Sequence, residues 1–235
     1  MSQNLANSSG GRTIAIGDVH GCDVALATLI DLIAPTADDR LVLLGDIIDR
    51  GPNPRGCIDY ILQLRERVPT VYLKGNHEEM FLEAMYGGSW SSTWPNYGGR
   101  EMLESYGGGF SAIPVRHQDF IRNGKDFWQS ETHLFVHGNV RAHVEVDEES
   151  AQVLRWDRFD PNQPRHVSGK RVICGHTAQG GGRPAVSPDY VCIDTCVYCP
   201  NGRLTALDVD TNTVWQSNQL GSTWGPMTIE QAATA

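Results

Sequence analysis

The chain has 235 residues, 40% of them hydrophobic, and a formal net charge of -9. This length suits one large domain with a sizeable core. The acidic balance, with no basic stripe in the sequence, argues against broad binding to nucleic acid or to an anionic membrane surface. No apolar run approaches the roughly 20 residues that a membrane-spanning helix needs, so we expect a soluble protein.

The sequence divides into three parts. Residues 1–12 are polar and rich in Ser, Asn and Gly, which predicts a disordered leader. Residues 13–220 are expected to form a single folded domain, and residues 221–235 a C-terminal tail. Within the domain, residues 87–110 are rich in Gly, Ser, Trp and Tyr and are a candidate cap segment.

Five apolar stretches predict buried strands, at residues 13–16, 41–44, 70–73, 133–136 and 171–174. Apolar residues at helical spacing predict helices at residues 23–33, 54–67, 78–85 and 114–123. Further strands are predicted at residues 190–194, 203–209 and 213–217. The first half therefore contains two β-α-β units with right-handed crossovers, and we predict an α/β protein in which two sheets pack together with helices outside.

A short polar motif follows each of the five buried strands. In chain order the motifs are Gly17-Asp18-Val19-His20-Gly21, Gly45-Asp46-Ile47-Ile48-Asp49-Arg50-Gly51, Gly75-Asn76-His77-Glu78, His137-Gly138 and Gly175-His176. In open α/β sheets the ligand site lies beyond the carboxyl ends of the strands, so these side chains are expected to converge. A single such motif is usually only a turn, but five in order predict a metalloenzyme.

The converging side chains predict a site for two divalent metal ions. Asp18 and His20 are expected to bind one ion, with Asp46 as the bridge. Three further residues are expected to complete the second ion's ligands: Asn76, His137 and His176. A mixed carboxylate, imidazole and amide set without thiolate suits Mn²⁺, Fe or Zn²⁺, of which we take Mn²⁺ as the first choice. A hydroxide between the two ions would attack phosphorus directly.

Four other residues are candidates for proton transfer and phosphate binding. His77 directly follows Asn76 and is the predicted general acid, held in orientation by Asp49. The planar guanidinium group of Arg50 is expected to bind phosphoryl oxygens. Arg158 and the amide of Asn76 are expected to bind the phosphoryl group from the opposite side. A surface ion pair with a neighbouring aspartate is an equally good interpretation of Arg158.

The candidate cap and the cysteines each allow two interpretations. Trp90, Trp94 and Tyr97 face the substrate if residues 87–110 cap the site, but such aromatics more often pack a loop against the body of the protein. Three cysteines next to predicted core elements are interpreted as reduced, which favours a cytoplasmic protein. For Cys192, Cys196 and Cys199, strand alternation favours separated side chains over a metal site or a disulfide.

The motifs Gly-Asp-Val-His-Gly, Gly-Asp-Ile-Ile-Asp-Arg-Gly and Gly-Asn-His-Glu resemble those of the phosphoprotein phosphatase family of metallophosphoesterases. The similarity is strongest to its small bacterial and phage members and to the symmetrical diadenosine tetraphosphatases. It runs from about Thr13 to Leu207. The resemblance implies a four-layer α/β/β/α sandwich of two mixed sheets, with the same metal ligands, the same acid pair, and Arg50 and Arg158 as phosphate-binding residues.

We expect a phosphomonoesterase whose substrate is a phosphorylated protein, at phosphoserine or phosphothreonine, or a small phosphoester. The alternative is the same chemistry on a dinucleoside polyphosphate. The choice between the two substrates is expected to depend on residues 87–110 and on the loop after His176. A non-catalytic binding module is a third interpretation, which predicts a lost ligand or a lost acid, and none is missing. The sequence predicts no oligomeric state.

Overall fold

The computed structural model describes residues 10–234, which contain seven α-helices and eleven strands. The helices are α1 Asp23–Ile33, α2 Pro54–Leu64, α3 Asn76–Met85, α4 Gly99–Ser105, α5 Val115–Arg122, α6 Ala151–Trp156 and α7 Ile229–Thr234. The strands are β1 Thr13–Ile16, β2 Arg40–Leu43, β3 Thr70–Tyr72, β4 Phe127–Gln129, β5 His133–Val136, β6 Arg171–Cys174, β7 Ala185–Val186, β8 Tyr190–Cys192, β9 Leu204–Asp208, β10 Thr213–Ser217 and β11 Thr223–Thr228.

The strands form two mixed sheets. The first has the order β11-β10-β9-β1-β2-β3, in which β1, β2 and β3 are parallel and β9 runs antiparallel to β1. The second has the order β4-β5-β6-β8-β7, in which β5, β6 and β8 are parallel. Because β1, β2 and β3 are joined through α1 and α2, the carboxyl ends of these strands meet at one edge.

Alternation along the strands separates three apolar cores. In β1, Ile14 and Ile16 face α1, α2 and α3, whereas Ala15 faces the second sheet and packs in the same core as Phe135 of β5. The other face of β5 packs with Leu154 of α6. The result is a four-layer α/β/β/α sandwich, as predicted. Each buried Ile, Leu or Phe contributes on the order of 1.5–3 kcal/mol, so these strands hold the site on a rigid frame.

The C-terminal segment differs from the predicted tail. β11 adds to the edge of the first sheet by pairing with β10, and Ile229 and Ala232 of α7 are buried between the sheets. Gly225 and Pro226 lie in β11, and both residues normally argue against a strand, but an edge strand tolerates them. Of the predicted leader, residues 1–9 lie outside the described residues, and Arg12 donates hydrogen bonds to Asp39.

The separation predicted for the three C-terminal cysteines was wrong for two of them. β8 ends at Cys192, so residues 193–199 are a loop rather than a strand with alternating side chains. Cys196 and Cys199 form a disulfide across this loop, and their Cα atoms are 5.5 Å apart. The remaining four cysteines are free and buried: Cys22, Cys57, Cys174 and Cys192. No helix in residues 10–234 is long and apolar enough to cross a membrane.

Candidate metal centre and active site

The polar motifs converge at the carboxyl ends of β1, β2, β3, β5 and β6. Five of the site residues adopt a left-handed backbone conformation with positive φ, which non-glycine residues rarely do. They are His20 (44°), Asp46 (47°), Asp49 (69°), Arg50 (65°) and His176 (60°). Such angles turn each side chain sharply away from the strand before it, and so they aim the five side chains into one region.

Asp46 lies at the centre of the site and is almost fully buried. Its Oδ2 lies 3.5 Å from His20 Nε2 and 4.0 Å from His77 Nε2, and its Oδ1 lies 3.4 Å from His137 Nε2. Ligand atoms of His20, Asp46 and His77 lie within 4.8 Å of one another, and so do those of Asp46, His137 and His176. With His77 set aside as the predicted acid, Asp46 still faces His20 with one oxygen and His137 with the other, which is the geometry that a bridging carboxylate needs.

Asn76 completes the second group. Its Oδ1 lies 3.0 Å from His137 Nε2 and 2.9 Å from His176 Nδ1. Asn76 is the first residue of α3 and sits directly after Gly75, where a Cβ would lie 2.1 Å from Asp46 Oδ1. Only glycine fits there, because the chain must pass this close to the carboxylate to bring Asn76 into the site.

Three histidines present a lone pair to the site because their other ring nitrogen faces a backbone carbonyl. The pairs are His20 Nδ1 with Ile48 O (3.0 Å), His137 Nδ1 with Leu44 O (2.8 Å) and His176 Nε2 with Trp156 O (3.0 Å). A carbonyl oxygen only accepts, so the nitrogen facing it carries the hydrogen. Burial lowers the pKa of all three, to about 3 for His137 and about 4 for His176, which keeps the imidazoles neutral and able to bind metal.

Asp18 lies beside the site rather than within either group. Both oxygens of its carboxylate accept from the backbone N–H of His176, at 3.0 and 3.2 Å. Burial raises its pKa, and so do the nearby carboxylates of Asp194 and Asp46. Three buried carboxylates that repel one another are an arrangement that a bound cation would stabilise.

The chemistry of the donor set fits two divalent metal ions. His137 Nε2 and His176 Nδ1 face Asn76 Oδ1 at 3.0 and 2.9 Å, and His137 Nε2 also faces Asp46 Oδ1 at 3.4 Å, with no hydrogen between the atoms of any of these pairs. Acceptors facing acceptors repel unless a cation lies between them. All six predicted ligands are at this end of the sheets, and oxygen and imidazole donors suit Mn²⁺, Fe or Zn²⁺.

His77 and Asp49, which the sequence predicts to act as an acid pair, contact each other directly. His77 Nδ1 lies 2.7 Å from Asp49 Oδ2, and both side chains are buried. Burial lowers the pKa of His77 to about 4 and raises the pKa of Asp49. His77 Nε2 has no hydrogen-bond partner among the described residues and borders a cavity of about 260 Å³. The pair is therefore placed to move a proton at that nitrogen.

Two arginines line the same cavity. Arg50 and the exposed Arg158 lie on it together with Asn76, the three residues predicted to bind phosphate. Arg158 makes no ion pair within residues 10–234, so the surface ion pair that competes with the phosphate interpretation does not form here. Arg50 donates a hydrogen bond to the hydroxyl of Tyr198, whose ring centroid lies 4.6 Å from the guanidinium carbon.

Sequence reasoning missed three residues that support the site. Glu78 is fully buried, and its carboxylate accepts backbone N–H groups from Asp46, Ile47 and Gly75 at 2.8–2.9 Å. The signal for this role is a Glu three residues after Gly75, the residue that precedes the helix. Tyr198, between the two bridged cysteines, and Asp194 carry no such signal, since neither belongs to a motif that ends a buried strand.

The candidate cap does not place its tryptophans on the cavity that His77 borders. Trp94 is buried, with only 1% of its surface exposed, and Trp90 stacks on Trp156 with ring centroids 5.4 Å apart. Tyr97 is half exposed and contacts Trp90 edge to face. The packing interpretation of these aromatics is therefore correct for Trp90 and Trp94.

Curated relatives share part of the chain. A protein from Burkholderia pseudomallei, named symmetrical bis(5'-nucleosyl)-tetraphosphatase, is 37% identical over 83 residues, which cover 35% of this chain and 29% of that protein. A protein of the same name from Nitrosomonas europaea is 30% identical over 159 residues, covering 63% of this chain and 54% of the relative. The chain thus matches about half or less of these relatives' lengths.

Solved structures share the fold. A structure with the provisional name diadenosine tetraphosphatase matches 90% of this chain and 95% of its own with a TM-score of 0.67 at 18% identity. A serine/threonine phosphatase from Saccharomyces cerevisiae matches 87% of this chain and 76% of its own, with a TM-score of 0.62 at 13% identity. The family model described as calcineurin-like phosphoesterase matches residues 11–193. With that match and the converging ligand set, the chain belongs to the calcineurin-like phosphoesterase family.

Proposed function

We propose that this protein hydrolyses phosphomonoesters, acting on phosphoserine, phosphothreonine and small phosphoesters with two Mn²⁺ ions bound. The observation that carries this proposal is the cavity of about 260 Å³ on which His77, Arg50 and Arg158 meet the carboxylate of Asp46. A cavity of this size suits one phosphoryl group rather than a large ligand. When bound, the two ions supply charge neutralisation and activation of water.

The chain's own residues then bind and orient the phosphoryl group. Arg50 and Arg158 approach the cavity from different loops, and their planar guanidinium groups suit two of the phosphoryl oxygens. The amide of Asn76 offers a further donor, since its Oδ1 faces the two histidines. With the oxygens fixed in this way, the leaving oxygen points towards His77.

His77 donates the proton that the leaving alkoxide needs. Burial lowers the pKa of this imidazole to about 4, which opposes the protonated form. The Asp49 carboxylate, 2.7 Å from Nδ1, is the group that stabilises the protonated ring, as a carboxylate does for other catalytic imidazoles. The free position of Nε2 leaves it able to give its proton to the substrate.

Two substitutions test this assignment. Asp46→Asn should reduce turnover and the bound metal content together, and His77→Gln should reduce turnover by about 10²–10⁴-fold while the metal content stays unchanged. His143→Gln, at an exposed histidine outside the motifs, is the matched control. Full activity in Asp46→Asn would disprove the proposed two-metal chemistry.

A symmetrical hydrolase of diadenosine tetraphosphate is the second candidate. The names of the curated relatives favour it, because the relative from Nitrosomonas europaea is 30% identical over 63% of this chain. Initial rates of the Mn²⁺-loaded protein on a phosphothreonine peptide and on diadenosine tetraphosphate, at equal concentration, separate the two. Faster peptide turnover supports the first proposal. Faster release of ADP from the dinucleotide supports the second, and no turnover of either would favour a binding module without catalysis.

We further propose a cytoplasmic location. Four free, buried cysteines support it, since a secreted protein of this size more often pairs its cysteines. The disulfide between Cys196 and Cys199 favours an oxidising compartment instead, but it closes a loop of only four residues and therefore adds little stability. Fractionation of the native host, followed by detection of the protein in each fraction, tests the location.

A further inference from the structure

We propose that Trp94 is a positioning residue for proton transfer, which holds Asp49 in the orientation that His77 needs. This inference rests on the proposed function, because it assigns Trp94 a part in the step that His77 carries out. Trp94 does not line the substrate cavity, so its contribution has to pass through Asp49.

The contact between these residues is direct and buried. The indole Nε1 of Trp94 donates to Asp49 Oδ2 at 2.8 Å, and the same oxygen lies 2.7 Å from His77 Nδ1. Asp49 has no exposed surface, and Trp94 and His77 are each 1% exposed. One carboxylate oxygen is therefore fixed by two ring nitrogens, and the indole sets the direction from which it meets the imidazole.

The indole itself is held firmly. Its ring lies 5.5 Å from that of Phe81, edge to face, and stacks on Phe110 at 5.6 Å. A Cβ on Gly99 would lie 2.5 Å from the indole, so that glycine brings helix α4 directly against the ring. Packed on three sides, Trp94 presents its N–H at a fixed point, which is what a positioning residue requires.

The same segment also holds the neighbour of Asp49. The backbone N–H of Arg50 donates to the carbonyl oxygen of Gly98 at 3.2 Å. Gly98 has a φ of 108°, and a Cβ there would lie 2.4 Å from the Arg50 nitrogen. Residues 94–99 thus support both Asp49 and Arg50, two consecutive residues with positive φ. The candidate cap acts as a support beneath the acid pair.

If Trp94 is a positioning residue, the rate loss in a Trp94 variant depends on the leaving group of the substrate. If Trp94 is purely structural, the rate loss does not. A poor leaving group, such as the threonine alkoxide, needs the proton from His77 in the transition state. The dinitrophenolate of 2,4-dinitrophenyl phosphate departs without a proton. Loss of a positioning contact therefore slows only the first substrate, whereas general damage to the fold slows both.

The experiment compares kcat/KM on a phosphothreonine peptide and on 2,4-dinitrophenyl phosphate for the Mn²⁺-loaded Trp94→Phe variant. We expect about a 10-fold or larger loss on the peptide and less than about a 3-fold loss on the aryl ester, as for a group that aids acid catalysis worth 10²–10⁴-fold. Trp128→Phe, in β4 and packed against Phe135, is the matched control and should leave both rates unchanged.

A second substitution guards against misfolding. Replacing Trp94 by 3-benzothienylalanine keeps the size and shape of the side chain and removes only the N–H, and it should give the same selective loss. In the Asp49→Asn background, Trp94→Phe should cause no additional loss, because Trp94 acts through Asp49. Equal losses on both substrates, or none on either, would overturn the inference.

His77→Gln separates this inference from the proposed function. If His77→Gln lowers only peptide turnover while both Trp94 variants behave as wild type, the acid role stands and only the role of Trp94 is wrong. If His77→Gln affects both substrates alike, the proposed acid fails and the inference about Trp94 fails with it. In Zn²⁺-loaded protein, the proton NMR resonance of the His77 ring should also shift in the benzothienyl variant, and an unchanged resonance would overturn the inference independently of activity.

Discussion

Replacing Glu78 by Gln should both destabilise the protein and slow catalysis, because this carboxylate holds the loop that carries Asp46. Its Oε2 accepts from the backbone N–H groups of Asp46 and Gly75, and its Oε1 accepts from that of Ile47. Burial and the Asp46 carboxylate raise the pKa of Glu78, whereas the three N–H groups favour the ionised form. Because a raised pKa means that ionisation of Glu78 weakens the fold as pH rises, the comparison is best made near pH 6, where Glu78 is neutral like glutamine but can still accept at both oxygens.

The size of the effect follows from the hydrogen bonds that glutamine cannot make. Its oxygen retains the donors of Asp46 and Gly75, and its amide group faces those of Ile47 and Ile48, which lie 2.8 and 3.4 Å from Oε1 of Glu78. A buried N–H left without an acceptor costs about 1–3 kcal/mol, of which we take about 2 kcal/mol for Ile47 and about 1 kcal/mol for the longer Ile48 contact. The free energy of unfolding should fall by about 3 kcal/mol, out of roughly 5–15 kcal/mol for a typical protein.

Urea denaturation in EDTA measures this difference without a contribution from bound metal. Glu66→Gln, at an exposed glutamate after α2, is the control and should change the free energy of unfolding by less than about 0.5 kcal/mol. With Mn²⁺ restored, kcat of Glu78→Gln should fall by about 100-fold, since a shift of about 1 Å in Asp46 misplaces the reacting groups. A Glu78→Gln protein with the denaturation midpoint of the wild type would refute the reasoning.

Three further results are expected. Arg12 holds the pKa of Asp39 below its usual range, so Asp39→Asn should lower the free energy of unfolding by about 1–2 kcal/mol at neutral pH. In urea titrations, the difference between the two proteins should shrink as pH falls below about 4, and a difference that grows in acid would contradict this. EDTA should abolish hydrolysis and lower the Tm measured by calorimetry, and Mn²⁺ should restore both; an unchanged Tm would argue against a metal that binds only the folded state. Tyr198→Phe should raise the inhibition constant of inorganic phosphate about 5-fold by freeing Arg50, whereas Tyr86→Phe, which removes a similar contact to a surface arginine, should not.

Much of the frame and the site could be predicted because local patterns repeat. The strand bounds predicted for β1, β5, β6 and β10 agree with the structure, since short apolar runs in this chain end at Gly or at a polar motif. The motif residues converge for a topological reason, as parallel strands carry their following loops to the same edge. Local sequence alone was therefore enough to bring Asp46 next to His137, 91 positions away.

The contacts that sequence reasoning missed join residues that are far apart in the chain. Trp94 reaches Asp49 across 45 positions, and Tyr198 reaches Arg50 across 148. Neither contact follows from helix or strand spacing. The Cys196–Cys199 bridge was missed for a simpler reason: strand alternation was assumed to continue to Val197, whereas β8 ends at Cys192 and the residues after it form a loop.

The left-handed residues of the site have a consequence for any attempt to make this protein more stable. Each such non-glycine conformation costs on the order of 1–3 kcal/mol, and five of the eight in residues 10–234 belong to the site. Glycine at Asp46 or His176 would relax the backbone while removing the side chain that the chemistry uses. Selection for thermal stability alone should therefore favour inactive variants at these positions first, and a stabilised active enzyme has to be sought in the sheets and helices instead.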